Sequence, residues 1–146
     1  MGSHSIKLLI CGSGNGAHAF AGIASSLKCT DVRVLSLSHD KVDRWSAAMQ
    51  MKDLQVIIER KEKEATCVFS KPTLVTKHPA DAMRDVDIVV FLLHAVAHQC
   101  YLEAIKPYVL PGIIIVGLPG APGFEFQVRD VLGQRARQCT IMNFES

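Results

Sequence analysis

The chain has 146 residues, 49% of them hydrophobic, and carries 16 Lys and Arg against 14 Asp and Glu for a net charge of +2. That length and composition suit one compact domain with its own core and exclude general disorder. The near-balanced charge offers no field for a nucleic acid or an anionic membrane, and the longest apolar run is far short of the ~20 residues that a membrane-spanning helix needs. A single domain over residues 1–146 is expected, with residues 1–5 outside the fold as a tag or a disordered start. The five cysteines, Cys11, Cys29, Cys67, Cys100 and Cys139, are odd in number and contain no C-x-x-C pair. They read as small hydrophobes in a reducing compartment, so a cytoplasmic location is expected.

Ile6 to Cys11 is a short apolar run rich in β-formers and predicts a buried strand. Ala17, Phe20, Ala21, Ala24 and Leu27 then recur at helical spacing. Val32 to Leu37 predicts a second strand. Ser38 is placed to cap the next helix, in which Val42, Trp45 and Met49 share a stripe. This opening is a β-α-β unit, which demands a parallel pair and a right-handed crossover. "LQVIIERKEKEATCVF" follows as two β-rich runs around a charged hexad, Glu59 to Glu64, and predicts an antiparallel hairpin with a solvated tip. Pro72 interrupts, "TLVT" predicts a short strand and Pro79 to Arg84 a short helix.

Val86 to Leu93 is apolar on both faces, as a central parallel strand requires. A helix through Ala97, Tyr101, Ala104, Ile105 and Tyr108 should follow and stop at Pro111-Gly112. Ile113 to Leu118 predicts a strand, Phe124 to Leu132 a helix and Cys139 to Phe144 a last strand. The alternation predicts an α/β fold of Rossmann type: a doubly wound, mainly parallel sheet with helices on both faces and a β-hairpin insertion.

The chemistry is concentrated in "CGSGNGA". Gly12, Gly14 and Ala17 fit G-x-G-x-x-(G/A), following a predicted strand and opening a predicted helix inside a β-α-β unit, which is the context this motif requires. Gly12 permits the tight turn, Gly14 lets a pyrophosphate approach bare backbone, and Ala17 allows close helix–strand packing. The N–H groups around Ser13, Asn15, Gly16 and Ala17 then point a positive helix end at the phosphates. A dinucleotide cofactor is the expected ligand. The end of the second strand has no ribose-binding acid within it; Ser36 is placed to touch the adenosine ribose, Asp40 is a weaker candidate, and Arg44 could serve a 2′-phosphate. On these grounds NAD is expected over NADP. Leu93 and His94 lie at the carboxyl end of a central strand and should line the cofactor crevice. His94 and His98 are four apart, but no third ligand is near them in sequence, so no metal site is expected. His18 could approach phosphate or be a surface helix histidine. The charged hexad has no interleaved aromatics, which argues against nucleic acid.

"CGSGNGAHAFAG", "AVAH", "VGLPGAPGFEFQVRDVLG" and the closing "NFES" together resemble the opine dehydrogenase family, across nearly the whole chain. The resemblance implies an NAD(P)H-dependent oxidoreductase that reduces the imine formed between a 2-oxo acid, usually pyruvate, and an amino acid. It implies an N-terminal Rossmann-type domain followed by a larger helical domain carrying the catalytic His–Asp pair. No catalytic residue is therefore expected within these 146 residues, and the chain alone should bind cofactor without turning over. His98, in the family's A-x-A-H, either helps position substrate or serves packing, and Ser146, matching a threonine near the 2-oxo acid, is a candidate carboxylate contact. The chain departs from the familiar members at Ala121, where they carry a glutamine, and at His94, where they carry proline. Two rival readings are a ketopantoate reductase-like or glycerol-3-phosphate dehydrogenase-like enzyme acting on a ketone, and a non-catalytic nucleotide-binding module.

Overall fold

A computed structural model describes residues 4–145. Thirteen elements follow in chain order: β1 (Ile6–Cys11), α1 (Asn15–Ser25), β2 (Thr30–Leu35), α2 (His39–Met51), β3 (Leu54–Arg60), β4 (Lys63–Ser70), β5 (Leu74–Thr76), α3 (Pro79–Ala82), β6 (Ile88–Phe91), α4 (His98–Ile105), β7 (Ile114–Gly117), α5 (Phe124–Leu132) and β8 (Thr140–Asn143). Six strands form one sheet in the order β5-β2-β1-β6-β7-β8, and every pairing in it is parallel. The strand order runs outward from β1 in one direction and then outward from β6 in the other, so the topological switch point lies between these two strands.

The buried stretches of the central strands, Leu8–Cys11 in β1 and Ile88–Phe91 in β6, are apolar because alternate side chains feed two different cores. Leu9, Cys11, Val89, Phe91 and Ile115 point to the face covered by α3, α4 and α5, where they meet Ala82, Tyr101, Leu102, Phe124 and Val128. Leu8, Ile10, Val32, Val34 and Val90 point to the face covered by α1 and α2, where they meet Ala17, Ala21, Ala24, Val42 and Trp45. Both layers of the doubly wound fold are thus written into the odd and even positions of the same strands.

The charged stretch forms the expected hairpin as a separate antiparallel sheet, β3 with β4. Its ladder continues to the pair Arg60–Lys63, so the turn is narrower than the charged hexad, just Lys61 and Glu62. The hairpin leans on the outer side of α1. Ser70 Oγ donates to the Gly22 carbonyl at 2.5 Å, and a Cβ on Gly22 would run into Val56 and reach Leu54. Replacing Gly22 by valine should therefore pry the hairpin from the helix and lower stability by about 2 kcal/mol, since overpacking costs ~1–3 kcal/mol. Urea unfolding beside the parent chain measures this.

The helix expected to run through Tyr108 breaks up. A single 3₁₀ turn covers Ala95–Ala97, α4 follows, and a second 3₁₀ turn covers Lys106–Tyr108. Pro107, which lacks the N–H that an α-helix would use there, accounts for the break after Ile105. Among the described residues no helix is long and apolar enough to cross a membrane.

Candidate functional site: a glycine-lined cleft at the sheet's carboxyl edge

The site begins with strand register. Cys11 lies opposite both Leu35 and Phe91, and Phe91 lies opposite Gly117. The strands therefore end in one row, and the residues that follow (Ser36, Gly12, Leu92 and Leu118) form the next. Three backbone bonds extend the ladder by one step: Gly12 N–H to the Leu35 carbonyl at 3.0 Å, Leu92 N–H to Cys11 at 2.9 Å and Leu118 N–H to Phe91 at 3.0 Å. Gly12 is pressed so closely against β6 that a Cβ would run into the Leu92 carbonyl, and its φ of +131° lies outside the range of ordinary L-residues. This position requires glycine for reasons internal to the fold.

Gly14 differs. It precedes the first turn of α1 with φ −83° and ψ −174°, an extended conformation open to any residue, and it offers no side chain to cap the helix. Apart from its own neighbours along the chain, no atom lies within 4 Å of where its Cβ would be. The space in front of Gly14 is open cleft. Asn15 and Gly16 are exposed there, while Ala17 is fully buried and packs α1 against the sheet. The opening N–H groups of α1 have no carbonyl from a preceding turn to bond, and the helix dipole makes this end positive.

A cleft of about 500 Å³ spreads from this loop. Gly12 to Gly16 form one wall, Leu92, Leu93 and His94 the second, and Leu118 with Pro119 the third. A second lobe of about 460 Å³ shares Ser13, Gly14 and Asn15 and is lined further by His18, Arg44 and Trp45. Lys41 lines both. The structure thus brings Gly12, Ser13, Gly14, Asn15, Gly16, Leu93 and His94 together around one opening.

Two sequence candidates, Ser36 and His98, are placed elsewhere. Ser36 is fully buried; its hydroxyl donates to Ser13 Oγ at 2.9 Å and accepts the Ser38 N–H at 3.3 Å. It braces the glycine loop from beneath instead of facing a ribose. His98 is 1% exposed, edge-on to Phe91 and Phe124. Its Nε2 donates to the Leu93 carbonyl at 3.2 Å, and its buried Nδ1 has no partner. It is a core residue beneath the cleft. Ser146 lies outside the described residues. The two histidines that sequence spacing puts on one helical face are also separated, because His94 is extended and exposed ahead of the 3₁₀ turn. Among the described residues no cluster of three or more His, Cys, Asp or Glu is placed to hold a metal ion.

Ser38 stands at the N-cap of α2, but its hydroxyl makes no capping bond. His18 stacks on Trp45 with ring centres 3.6 Å apart, and its Nδ1 donates to the Gly14 carbonyl at 2.9 Å. The histidine ties α1 to α2 behind the loop. The far wall is held by β8: Gly120 N–H donates to Phe144 at 2.9 Å, and a Cβ on Gly120 would collide with the Asn143 amide. Sequence reasoning missed Lys41 and Tyr101 as lining residues, and left open whether the Gly-Pro loop of Leu118 and Pro119, at the carboxyl end of a strand, shapes the site or only turns the chain. For Lys41 a signal was present, its place in the first turn of the helix after β2.

Burial lowers the His98 pKa below the ordinary 6.5, against a smaller opposing effect of the Leu93 carbonyl. The unfolded chain then binds a proton that the folded chain does not, so stability falls as pH drops below about 6.5 until the folded pKa is passed. Urea midpoints measured from pH 7.5 down to pH 5 should show this slope. His98→Gln, which keeps a donor for Leu93 but does not titrate, should flatten it.

No family model matches the chain. Opine dehydrogenase of Haliotis discus hannai is 46% identical over 144 residues, which are 97% of this chain and 36% of that protein. A solved structure of octopine dehydrogenase with NADH and L-arginine superposes with a TM-score of 0.92 at 42% identity, covering 95% of this chain and 34% of that one. The chain is homologous to the opine dehydrogenases. It spans about a third of the length of these homologues (36% and 34%). A ketopantoate reductase from Ralstonia eutropha superposes at a TM-score of 0.68 with 16% identity over 93% of this chain and 40% of that one. That likeness concerns the fold alone, whereas the opine dehydrogenase homology extends to the sequence, at 46% and 42% identity.

Proposed function

We propose that this chain is the NAD(H)-binding part of an opine dehydrogenase-like oxidoreductase, which reductively condenses a 2-oxo acid such as pyruvate with an amino acid. The observation that carries this reading is Gly14: a glycine the fold itself does not require, facing open space at a helix N-terminus. A pyrophosphate gives a reason for bare backbone there. The octopine dehydrogenase homologue, held with NADH and L-arginine in its structure, supports the same ligand.

The residues present fit a dinucleotide. N–H groups of Ser13, Asn15 and Gly16 would face the pyrophosphate, with Gly12 and Ala17 keeping turn and helix close to the sheet. Ser36 would act through Ser13. Leu93 and His94 would border the nicotinamide part of the cleft. The bound nicotinamide supplies the hydride; the chain's part is to bind and orient it. Substrate binding and the catalytic acid–base pair would belong to a second, helical domain, which would close over this cleft and exclude water. The protein would act in the cytoplasm, with NAD favoured over NADP.

Calorimetric titration of the chain with NADH and NADPH tests the cofactor reading. NADH should bind, and no heat with either at millimolar levels overturns it. The chain alone should show no turnover with pyruvate and amino acids. The parent protein should consume NADH with pyruvate plus an amino acid; consumption only with ketopantoate or dihydroxyacetone phosphate would move the assignment to a ketone reductase.

A further inference from the structure

We propose that Lys41 is the side chain that holds a phosphate group of the dinucleotide, a role that rests on the cofactor reading above. The two lobes of the cleft meet at Ser13, Gly14 and Asn15, and Lys41 is the one Lys or Arg that lines both of them. It is an exposed residue in the first turns of α2, across the opening from the N-terminus of α1.

The neighbouring charges are already paired. Arg44 reaches Asp40 at 3.5 Å, and its Nε also donates to the Asp40 carbonyl. Lys77 lies 3.8 Å from Asp43. Both acids of this part of α2 thus have their own cations. Among the described residues Lys41 makes no ion pair.

The end of β2 points the same way. An acid there would anchor a ribose and repel phosphate, but the residues that leave the strand are Ser36, Leu37 and Ser38. Ser36 is consumed by the loop beneath. The cleft therefore has an unpaired cation and no competing carboxylate at the place where a dinucleotide brings its phosphates. An ammonium on a flexible stem suits a phosphate oxygen as a point charge, and the backbone N–H groups of α1 supply the directional bonds.

Two phosphates of different origin have this chemistry: the pyrophosphate common to both cofactors and the 2′-phosphate of NADPH alone. The test is titration of the parent chain, Lys41→Gln and Lys41→Arg with NADH and NADPH at two salt concentrations. K41Q should weaken binding about tenfold, the scale of one charge-assisted hydrogen bond, and reduce its salt dependence, while K41R retains most of the affinity. Equal loss for both cofactors assigns Lys41 to the pyrophosphate; loss for NADPH alone assigns it to the 2′-phosphate. If K41Q binds both cofactors within twofold of the parent chain, the role of Lys41 is overturned while the cofactor reading stands. If the parent chain binds neither, both fall.

Discussion

Gly14→Ala should leave the fold intact and cost the chain most of its affinity for NADH. The stability change is the difference of two small effects. Alanine is a poorer N-cap than glycine, a loss of up to ~1 kcal/mol. It also restricts the unfolded chain, a gain of about 0.4–1 kcal/mol where the native backbone suits it. At φ −83° and ψ −174° it does suit it, and apart from its own neighbours along the chain no atom lies within 4 Å. The midpoint of urea unfolding should therefore move little. Binding has no such cancellation, because the new methyl stands where a pyrophosphate must come to the backbone. A loss of at least about tenfold, or ~1.4 kcal/mol, is expected by fluorescence or calorimetric titration. Unchanged NADH affinity in this variant would leave the glycine without a ligand-based reason.

Gly12→Ala should do the reverse and damage the domain itself. Its φ of +131° is strained for any side chain, and the added methyl meets the rigid Leu92 carbonyl at the centre of the sheet. Backbone strain of ~1–3 kcal/mol and overpacking of similar size act together, so a loss of about 3 kcal/mol is expected. For a domain whose whole stability is on the order of 5–15 kcal/mol, that is severe. Thermal or urea unfolding followed by circular dichroism reads it directly. The two glycines stand two residues apart in one motif, and this pair of variants separates the one that shapes the turn from the one that admits the ligand.

Much of this was legible in the residues. The alternation of apolar runs and helical stripes specifies a doubly wound parallel sheet, because parallel strands need crossovers and crossovers have one hand. The hairpin was legible from its charged tip between two β-rich runs. The glycine loop was legible because a motif is informative once its strand and helix are in place.

Ser36 was not legible as a buried residue, and for His98 packing and substrate contact stood open. A serine after a strand and a histidine after a cleft-lining segment have the chemistry of ligand contacts. Whether they turn outward is decided by partners such as Ser13, Phe91 and Phe124, which no local pattern reveals. Lys41 was missed for the opposite reason: a lysine in the first turn of an exposed helix looks solvated until the lobes on both sides of it are seen. The break after Ile105 was foreshadowed by Pro107, whose missing donor outweighed the apolar spacing that continued to Tyr108.

The two-faced core has a consequence for how the chain finds its alignment. Along Leu8–Cys11 of β1 and Ile88–Phe91 of β6 both faces are greasy, so within this stretch a strand slid by one residue would still present an apolar surface to each core; polarity polices the error poorly. Volume does better. One side of the sheet receives Ala17, Ala21 and Ala24; the other receives Phe91, Tyr101 and Phe124. A slipped β6 would thrust a phenyl ring into the shallow alanine bed and leave a valine to fill an aromatic hollow. Bulk acts here as the proofreader, and the same correction that seats Phe91 sets the Leu92 carbonyl against Gly12.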